Sequence, residues 1–337
     1  MVKSVRNGEI TRIDFWNLLS RGSAILKDAG IDDSSREALM LLCAAAGCDR
    51  AMLISYPSEK FSDEVLDKYF DFLDRRSRRE PIQYILGEWE FMGLPFIVSP
   101  DVLIPRPDTE CIVECVVDAL GGSVVRSTQP HMNDSEPLIL DLCTGSGCVA
   151  ISLASFLPNA HIIASDISWQ ALCLANENAA LNHVSERILF VEGDLFQPLE
   201  TAQKDILLFI NNKHDKLNET CTGTLSDKQS FIYKKLNFDV ICANPPYISR
   251  EDLDTLPEDV RSYEPVIALD GGTDGLVFYH RIAKDAARWM KPGGILALEI
   301  GALQEHQVED ILRRNNYKKI RTVLDYCGHT RIICAST

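Results

Sequence analysis

Short apolar runs recur near residues 138–142, 161–165, 188–192, 238–243, 294–300, 318–324 and 330–335, with helix-period segments between most of them. Strands separated by helical crossovers pair in parallel, because only a crossover of a dozen residues returns the chain to the same end of a sheet. The alternation predicts an α/β fold, a mainly parallel seven-stranded sheet covered by helices on both faces. The last two runs, joined by a short turn from Asp325 to Thr330, are expected to pair antiparallel. In open sheets of this kind ligands lie beyond the carboxyl ends of the strands, so the residues that follow each run matter most.

The first run ends at Asp141 and enters Cys143-Thr144-Gly145-Ser146-Gly147, after which a helix is expected from about Gly147. Glycines here let the backbone come close to a ligand and present N–H groups to it. Gly145, Gly147 and Ala150 also satisfy the G-x-G-x-x-A dinucleotide pattern, so the turn alone does not choose among adenosine cofactors. The second run ends at Asp166, where a carboxylate can accept both hydroxyls of a ribose; the alternative is a cap for the helix beginning at Ser168. After the third run, Asp194 falls where an adenine would lie.

The fourth run ends differently, in Asn244-Pro245-Pro246-Tyr247. An amide or aryl amine is a poor nucleophile because its nitrogen lone pair is delocalised. Holding both N–H groups on acceptors aims the lone pair at an electrophile. The Asn244 side-chain oxygen is one such acceptor. The Pro245 carbonyl is the other, freed because proline cannot continue a central strand. Tyr247 is expected to offer an aromatic face to the flat group. Attack on a methyl sulfonium needs no prior general base, so positioning carries the rate.

The Asn244–Tyr247 block resembles methyltransferases that act on planar amino groups. With the segments from Gly87 to Glu110, Asp141 to Ile151, Glu264 to Leu276 and Leu298 to Gly301, the chain resembles the HemK/PrmC glutamine methyltransferases over about residues 10–335. The resemblance implies a Rossmann-like class I methyltransferase sheet, S-adenosylmethionine as cofactor and no metal. It also implies transfer to N5 of the glutamine in the Gly-Gly-Gln loop of class I peptide-chain release factors. Asp141 and the turn from Cys143 through Thr144, Gly145 and Ser146 to Gly147 would hold the methionine part. Asp166 would bind ribose, Asp194 and Leu195 would line the adenine pocket, and Asn244, Pro245, Pro246 and Tyr247 would hold the substrate amide. Two positions depart from the family, Cys143 for glycine and Asp108 for glutamate. If residue 143 needs a positive φ, cysteine there is strained by about 1–2 kcal/mol.

Residues 9–80 show helical periodicity only, with Asp33 and Asp108 read as helix caps, and residues 81–107 read as two extended segments of a β-hairpin. The expected organisation is a docking domain over 1–80, a hairpin linker over 81–107 and a catalytic domain over 108–337, interrupted by a polar surface insertion at about 197–237. Arg75, Arg76, Arg78 and Arg79 form the one basic cluster, read as a solvated helix end or a docking surface. A formal charge of −15 argues against gripping a phosphate backbone. Eleven scattered cysteines without a C-x-x-C pair, and no signal-like or membrane-spanning run, predict reduced thiols and a cytoplasmic location; the expected state is a monomer, although nothing in the sequence fixes it. The competing readings are the same chemistry on a ribosomal-protein glutamine or adenine N6, and a cofactor-binding scaffold without turnover.

Overall fold

The computed structural model describes residues 15–55, 61–124, 136–217 and 236–337. The chain divides into two compact units, residues 1–87 with 258–263, and residues 88–257 with 264–337.

The first unit is helical: α1 (Phe15–Asp28), α2 (Ser34–Ala46), α3 (Arg50–Ser55), α4 (Asp63–Ser77) and α5 (Ile82–Leu86). Phe15, Leu18 and Leu26 on α1, Leu41 and Leu42 on α2, and Tyr69 and Leu73 on α4 recur at helical spacing, and together they close one core. Gly22 lets α1 lie against Tyr69, since a Cβ there would meet its hydroxyl. Ser62 caps α4 by accepting the Val65 N–H at 3.4 Å. Asp33 stands at the cap position of α2 but makes no capping bond.

The arginine cluster does end a helix, with Arg75 and Arg76 in the last turn of α4, but it is only partly solvated. Arg76 is buried, with Nε 2.5 Å from Glu37 Oε2, Nη2 3.3 Å from Oε1 and Nη1 donating to the Glu80 carbonyl at 3.1 Å. Arg75 pairs with Glu80, and Arg78 with Asp74.

The segment Ile82–Leu86, expected to be extended, is the helix α5, closed by Gly87 at φ 76° with its N–H on the Gln83 carbonyl. The hairpin is therefore shorter and begins the second unit: β1 (Glu88–Phe91) pairs with β2 (Leu94–Ile97). Met92 and Gly93 both have positive φ, the backbone of a two-residue hairpin turn that follows strand twist.

The second unit continues with α6 (Glu110–Ala119), β3 (Leu138–Leu142), α7 (Cys148–Phe156), β4 (His161–Asp166), α8 (Trp169–Leu181), β5 (Ile188–Glu192), α9 (Gln197–Thr201), α10 (Gln203–Leu217), β6 (Phe238–Ala243) and α11 (Arg250–Leu253). The short α12 (Glu258–Tyr263) groups with the first unit. Then come α13 (Val277–Ala286), β7 (Met290–Glu299), α14 (Glu305–Arg314), β8 (Lys318–Leu324) and β9 (Thr330–Ser336).

The sheet order is β5-β4-β3-β6-β7-β9-β8, parallel from β5 to β7, with β9 antiparallel to both of its neighbours. The expected seven-stranded α/β sheet is present. Alternate residues of its central strands enter different cores: Ile139, Ile162 and Val240 on one face, Leu140, Ile163 and Ile241 on the other.

The expected insertion begins as ordinary core-packed structure, because Leu199 on α9 and Ile206 and Leu207 on α10 are buried in the second of these cores. Residues 218–235, the rest of that excursion, lie outside the described residues. All described cysteines are free, and Cys111 and Cys115 are buried on α6. Among the described residues no helix is long and apolar enough to cross a membrane.

Candidate active site

Beyond the carboxyl ends of β3, β4, β5 and β6 lies a cavity of about 200 Å³. Ten of the residues singled out in the sequence line it: Asp141, Cys143, Thr144, Gly145, Ser146, Asp166, Asp194, Leu195, Asn244 and Pro246. Gly147, Pro245 and Tyr247 do not.

The turn after β3 is built by hydrogen bonds from below. Thr144 Oγ1 donates to Asp141 Oδ2 at 2.6 Å, and the Thr144 N–H reaches the Ser165 carbonyl on β4. Burial, only partly offset by this bond, raises the Asp141 carboxyl to a pKa of about 7. Cys143 has φ 58°, so the strain foreseen for a cysteine at this position is present, at about 1–2 kcal/mol. A Cβ on Gly145, also at positive φ, would meet nothing within 4 Å, so its backbone faces open space. Gly147 serves packing instead: a Cβ there would lie 2.9 Å from Ile151 and 3.1 Å from Ala175, where α7 and α8 approach. Asn178, wholly buried on α8, donates to the Ser146 and Ile97 carbonyls and so ties the turn to the hairpin.

Asp166 is not a helix cap. Its Oδ2 accepts the Gly145 N–H at 2.8 Å and its Oδ1 the Ser168 N–H at 3.0 Å, while Ser168 caps α8 with its own hydroxyl. Burial raises the Asp166 pKa against these bonds. Asp194 accepts from Arg281 Nη2 at 2.6 Å, and Leu195 beside it is buried at φ 52°. Ile167, Leu195 and Phe278 supply apolar wall.

Ladder pairing on both sides of β6 stops at Ala243, so Asn244 is the first residue beyond the sheet. Asn244 is half-buried, and its Nδ2 donates to Thr109 Oγ1 at 3.2 Å. The open aromatic face expected of Tyr247 is absent from the cavity. Its ring lies against Gly301, where a Cβ would stand 3.0 Å from Cδ2, and its hydroxyl faces the Glu299 carboxyl. Its carbonyl accepts from Gln304 Nε2 at 3.0 Å, and a Cβ on Gly275 would come within 2.4 Å of that oxygen. Tyr247 therefore fastens the loop that carries Asn244.

Several residues of the site escape sequence reasoning. Asp108 does not cap α6; its carboxylate lies 2.8 Å from Arg331 on β9. Arg106 pairs with Glu264, which also accepts the Ile104 N–H at 3.2 Å, joining two walls of the cavity. Thr109, Arg281 and Phe278 carry no local signal. The apolar runs that placed the strands say nothing about partners so distant in sequence.

A parallel sheet of this strand order, with a glycine turn after its first strand and a carboxylate at the tip of the next, is the Rossmann-like methyltransferase fold. The described family models agree: residues 17–87 match the PrmC N-terminal domain, and residues 126–213 the methyltransferase small domain. The release factor glutamine methyltransferase of Clostridium acetobutylicum is 31% identical over 94% of this chain and 96% of its own. That of Caulobacter vibrioides is 36% identical over 91% of each. The chain belongs to the release factor glutamine methyltransferase family. Among solved structures, a Pyrococcus furiosus methyltransferase covers 72% of this chain and 89% of its own with TM-score 0.44 and 14% identity, too weak a likeness to argue from.

Proposed function

We propose that this enzyme methylates N5 of the glutamine in the Gly-Gly-Gln loop of class I release factors, with S-adenosylmethionine as the donor. One observation carries the reading: the Asn244 amide, with its nitrogen engaged by Thr109, opens into the same cavity as the Cys143–Gly147 turn and Asp166. The names of the relatives supply the target.

The residues fit an adenosine-bearing ligand. The open backbone at Gly145 takes its methionine part, Asp166 has lone pairs left for ribose hydroxyls, and Ile167, Leu195 and Phe278 flank a flat base. The donor, when bound, supplies a methyl group on a positively charged sulfur. Asn244 Oδ1 accepts one N–H group of the substrate amide, and the other is assigned to the carbonyl of Pro245, the next residue though not itself in the cavity lining, so that the lone pair is aimed at that methyl. The proton leaves the nitrogen after attack, so no strong base is required in the site. Pro245 and Pro246, both buried, fix the backbone that does this. The helical first unit is the proposed docking surface, because a lone glutamine is too common to be selected by the cavity alone.

The test is transfer of labelled methyl to purified release factor, with the loop glutamine replaced by alanine as control. Asn244→Ala is expected to lower kcat by about 10²–10³, as when an oriented transition-state group is removed. Label that persists in the glutamine-free control, or more than half of wild-type activity in Asn244→Ala, would sink the reading.

A further inference from the structure

A carboxamide has two ends of nearly equal size, one accepting and one donating, so the neighbours of Asn244 decide which end meets the substrate. The contact at 3.2 Å is to Thr109 Oγ1, on a residue 2% exposed that itself lines the cavity. On its other side Thr109 meets Glu299, the last residue of β7. Glu299 is 1% exposed, and the Thr109 and Tyr247 side chains are its hydrogen-bonding neighbours. Its Oε2 has no close partner.

A hydroxyl has one proton. When that proton goes to the Glu299 carboxylate, only lone pairs remain on Oγ1, and only the NH2 end of Asn244 can face them. Oδ1 is then turned to the cavity. With the proton pointed at Asn244 instead, the amide would turn over and present a donor to an incoming N–H group.

We propose that Thr109, its proton held by Glu299, is the positioning residue that turns the acceptor end of Asn244 toward the substrate amide. The proposal rests on the role given to Asn244 above. The turn bearing Thr109 is itself held, since Asp108 pairs with Arg331 at 2.8 Å and Arg331 also meets Asp325 at 3.3 Å. This gives Arg331 a use beyond joining strands.

The direction of the hydroxyl depends on the ionisation of Glu299. Around Glu299 stand Tyr247 after β6, Tyr279 on α13, Cys111 on α6, Cys148 on α7, and the Asp108–Arg331 ion pair. Burial raises both tyrosines and both cysteines, so none of the four is charged near neutrality. Burial first, with Asp108 adding to it and Thr109, Arg331 and Tyr247 opposing, puts Glu299 at about 7. Below that pH the carboxyl carries its own proton and can donate to Thr109, so the relay loses its direction. The rate of transfer should therefore rise with pH through about 7. Asp141, also at about 7, would give a limb of the same sign, and Glu299→Gln separates the two.

The experiment compares Thr109→Ser, Thr109→Val and Glu299→Gln with wild type in kcat, KM, cofactor affinity and pH profile. Thr109→Val should lower kcat about 10- to 100-fold, as misorientation near a reacting centre does, with cofactor affinity unchanged. Thr109→Ser should stay within about threefold of wild type, since it keeps the hydroxyl. Glu299→Gln should lose the Glu299 share of the limb near pH 7, so that the limb shrinks or disappears. Independently of any substrate, the Asn244 side-chain NH2 signal in 15N-labelled protein, identified by its loss in Asn244→Ala, should move in Thr109→Val and stay in Thr109→Ser. Inactive wild type on release factor would sink the substrate reading and leave this NMR comparison to judge Thr109. Wild-type kcat in Thr109→Val, an unmoved Asn244 signal, or a limb whose size and midpoint are the same in Glu299→Gln as in wild type overturns the proposal. The last of these decides it if the valine variant does not fold.

Discussion

Asp166→Ala removes more than a ligand contact. The carboxylate accepts the Gly145 N–H at 2.8 Å and the Ser168 N–H at 3.0 Å, so alanine leaves the cofactor turn and the start of α8 without their shared anchor. Hydrogen bonds to a charged group contribute about 1.5–3 kcal/mol each. Here the gain is reduced by the burial that raises the Asp166 pKa, so a total loss of about 1.5–3 kcal/mol of unfolding free energy is expected for the free protein. Ribose hydroxyls lose their acceptor as well. A further 1.5–3 kcal/mol, about 10- to 150-fold in Kd, should then be missing from cofactor binding. Asp166→Asn should not rescue either quantity, because its NH2 must face one of the two N–H donors. Denaturant unfolding without ligand reads the first loss, and calorimetry with S-adenosylhomocysteine and its 2′-deoxy analogue reads the second. The deoxy analogue should be less sensitive to the substitution than the parent ligand. A stability loss with unchanged affinity would show that Asp166 serves the turn alone and would refute its ribose role.

At Cys143, with φ 58°, Cys143→Gly should be more stable than Cys143→Ala by about 1 kcal/mol although it removes one atom more, because alanine keeps the left-handed strain; the reverse order in denaturant melts would contradict that strain. Arg76→Met leaves the half-buried Glu37 without its cation and should cost about 1–3 kcal/mol, while the double variant Arg76→Met/Glu37→Met recovers most of it. Arg78→Ala, whose pair with Asp74 is exposed, should stay within about 1 kcal/mol of wild type in the same assay.

The strands were legible because each is an apolar run that stops at a polar residue or glycine, as at Asp141, Asp166 and Asn244. Successive strand residues take opposite faces, as Ile139 and Leu140 do, and both faces are covered, which is why the runs are apolar throughout. What could not be read is whatever depends on a distant partner. Asp108 looks like a cap beside Pro107 until Arg331 is seen next to it. Arg76 looks like one of four surface cations until Glu37 is found on the neighbouring helix. The helix at Ile82–Leu86 was missed for another reason: five residues, four of them apolar, do not distinguish helix from strand, and the deciding signal was Gly87 just after them. Tyr247 failed as an open platform because its partners Gly301 and Glu299 come from the end of β7 and the loop beyond it. Thr109 acquires meaning only from Asn244 and Glu299, neither of which is near it in the chain.

β9 is made after every other strand of this sheet yet stands inside it, and this sets an order of events for a chain that grows from its N-terminus. Until Thr330–Ser336 has emerged, β7 exposes an unpaired edge, the Ile300 N–H has no Arg331 carbonyl to meet, and Asp108 has no cation beside it. Earlier strands can pair and the glycine turn can form without β9. The turn that carries Thr109 cannot settle before it. Such late, long-range closure is intrinsically slow and leaves a sticky edge open meanwhile, so the nascent protein should pass through an interval in which it is largely folded, prone to association, and chemically inert.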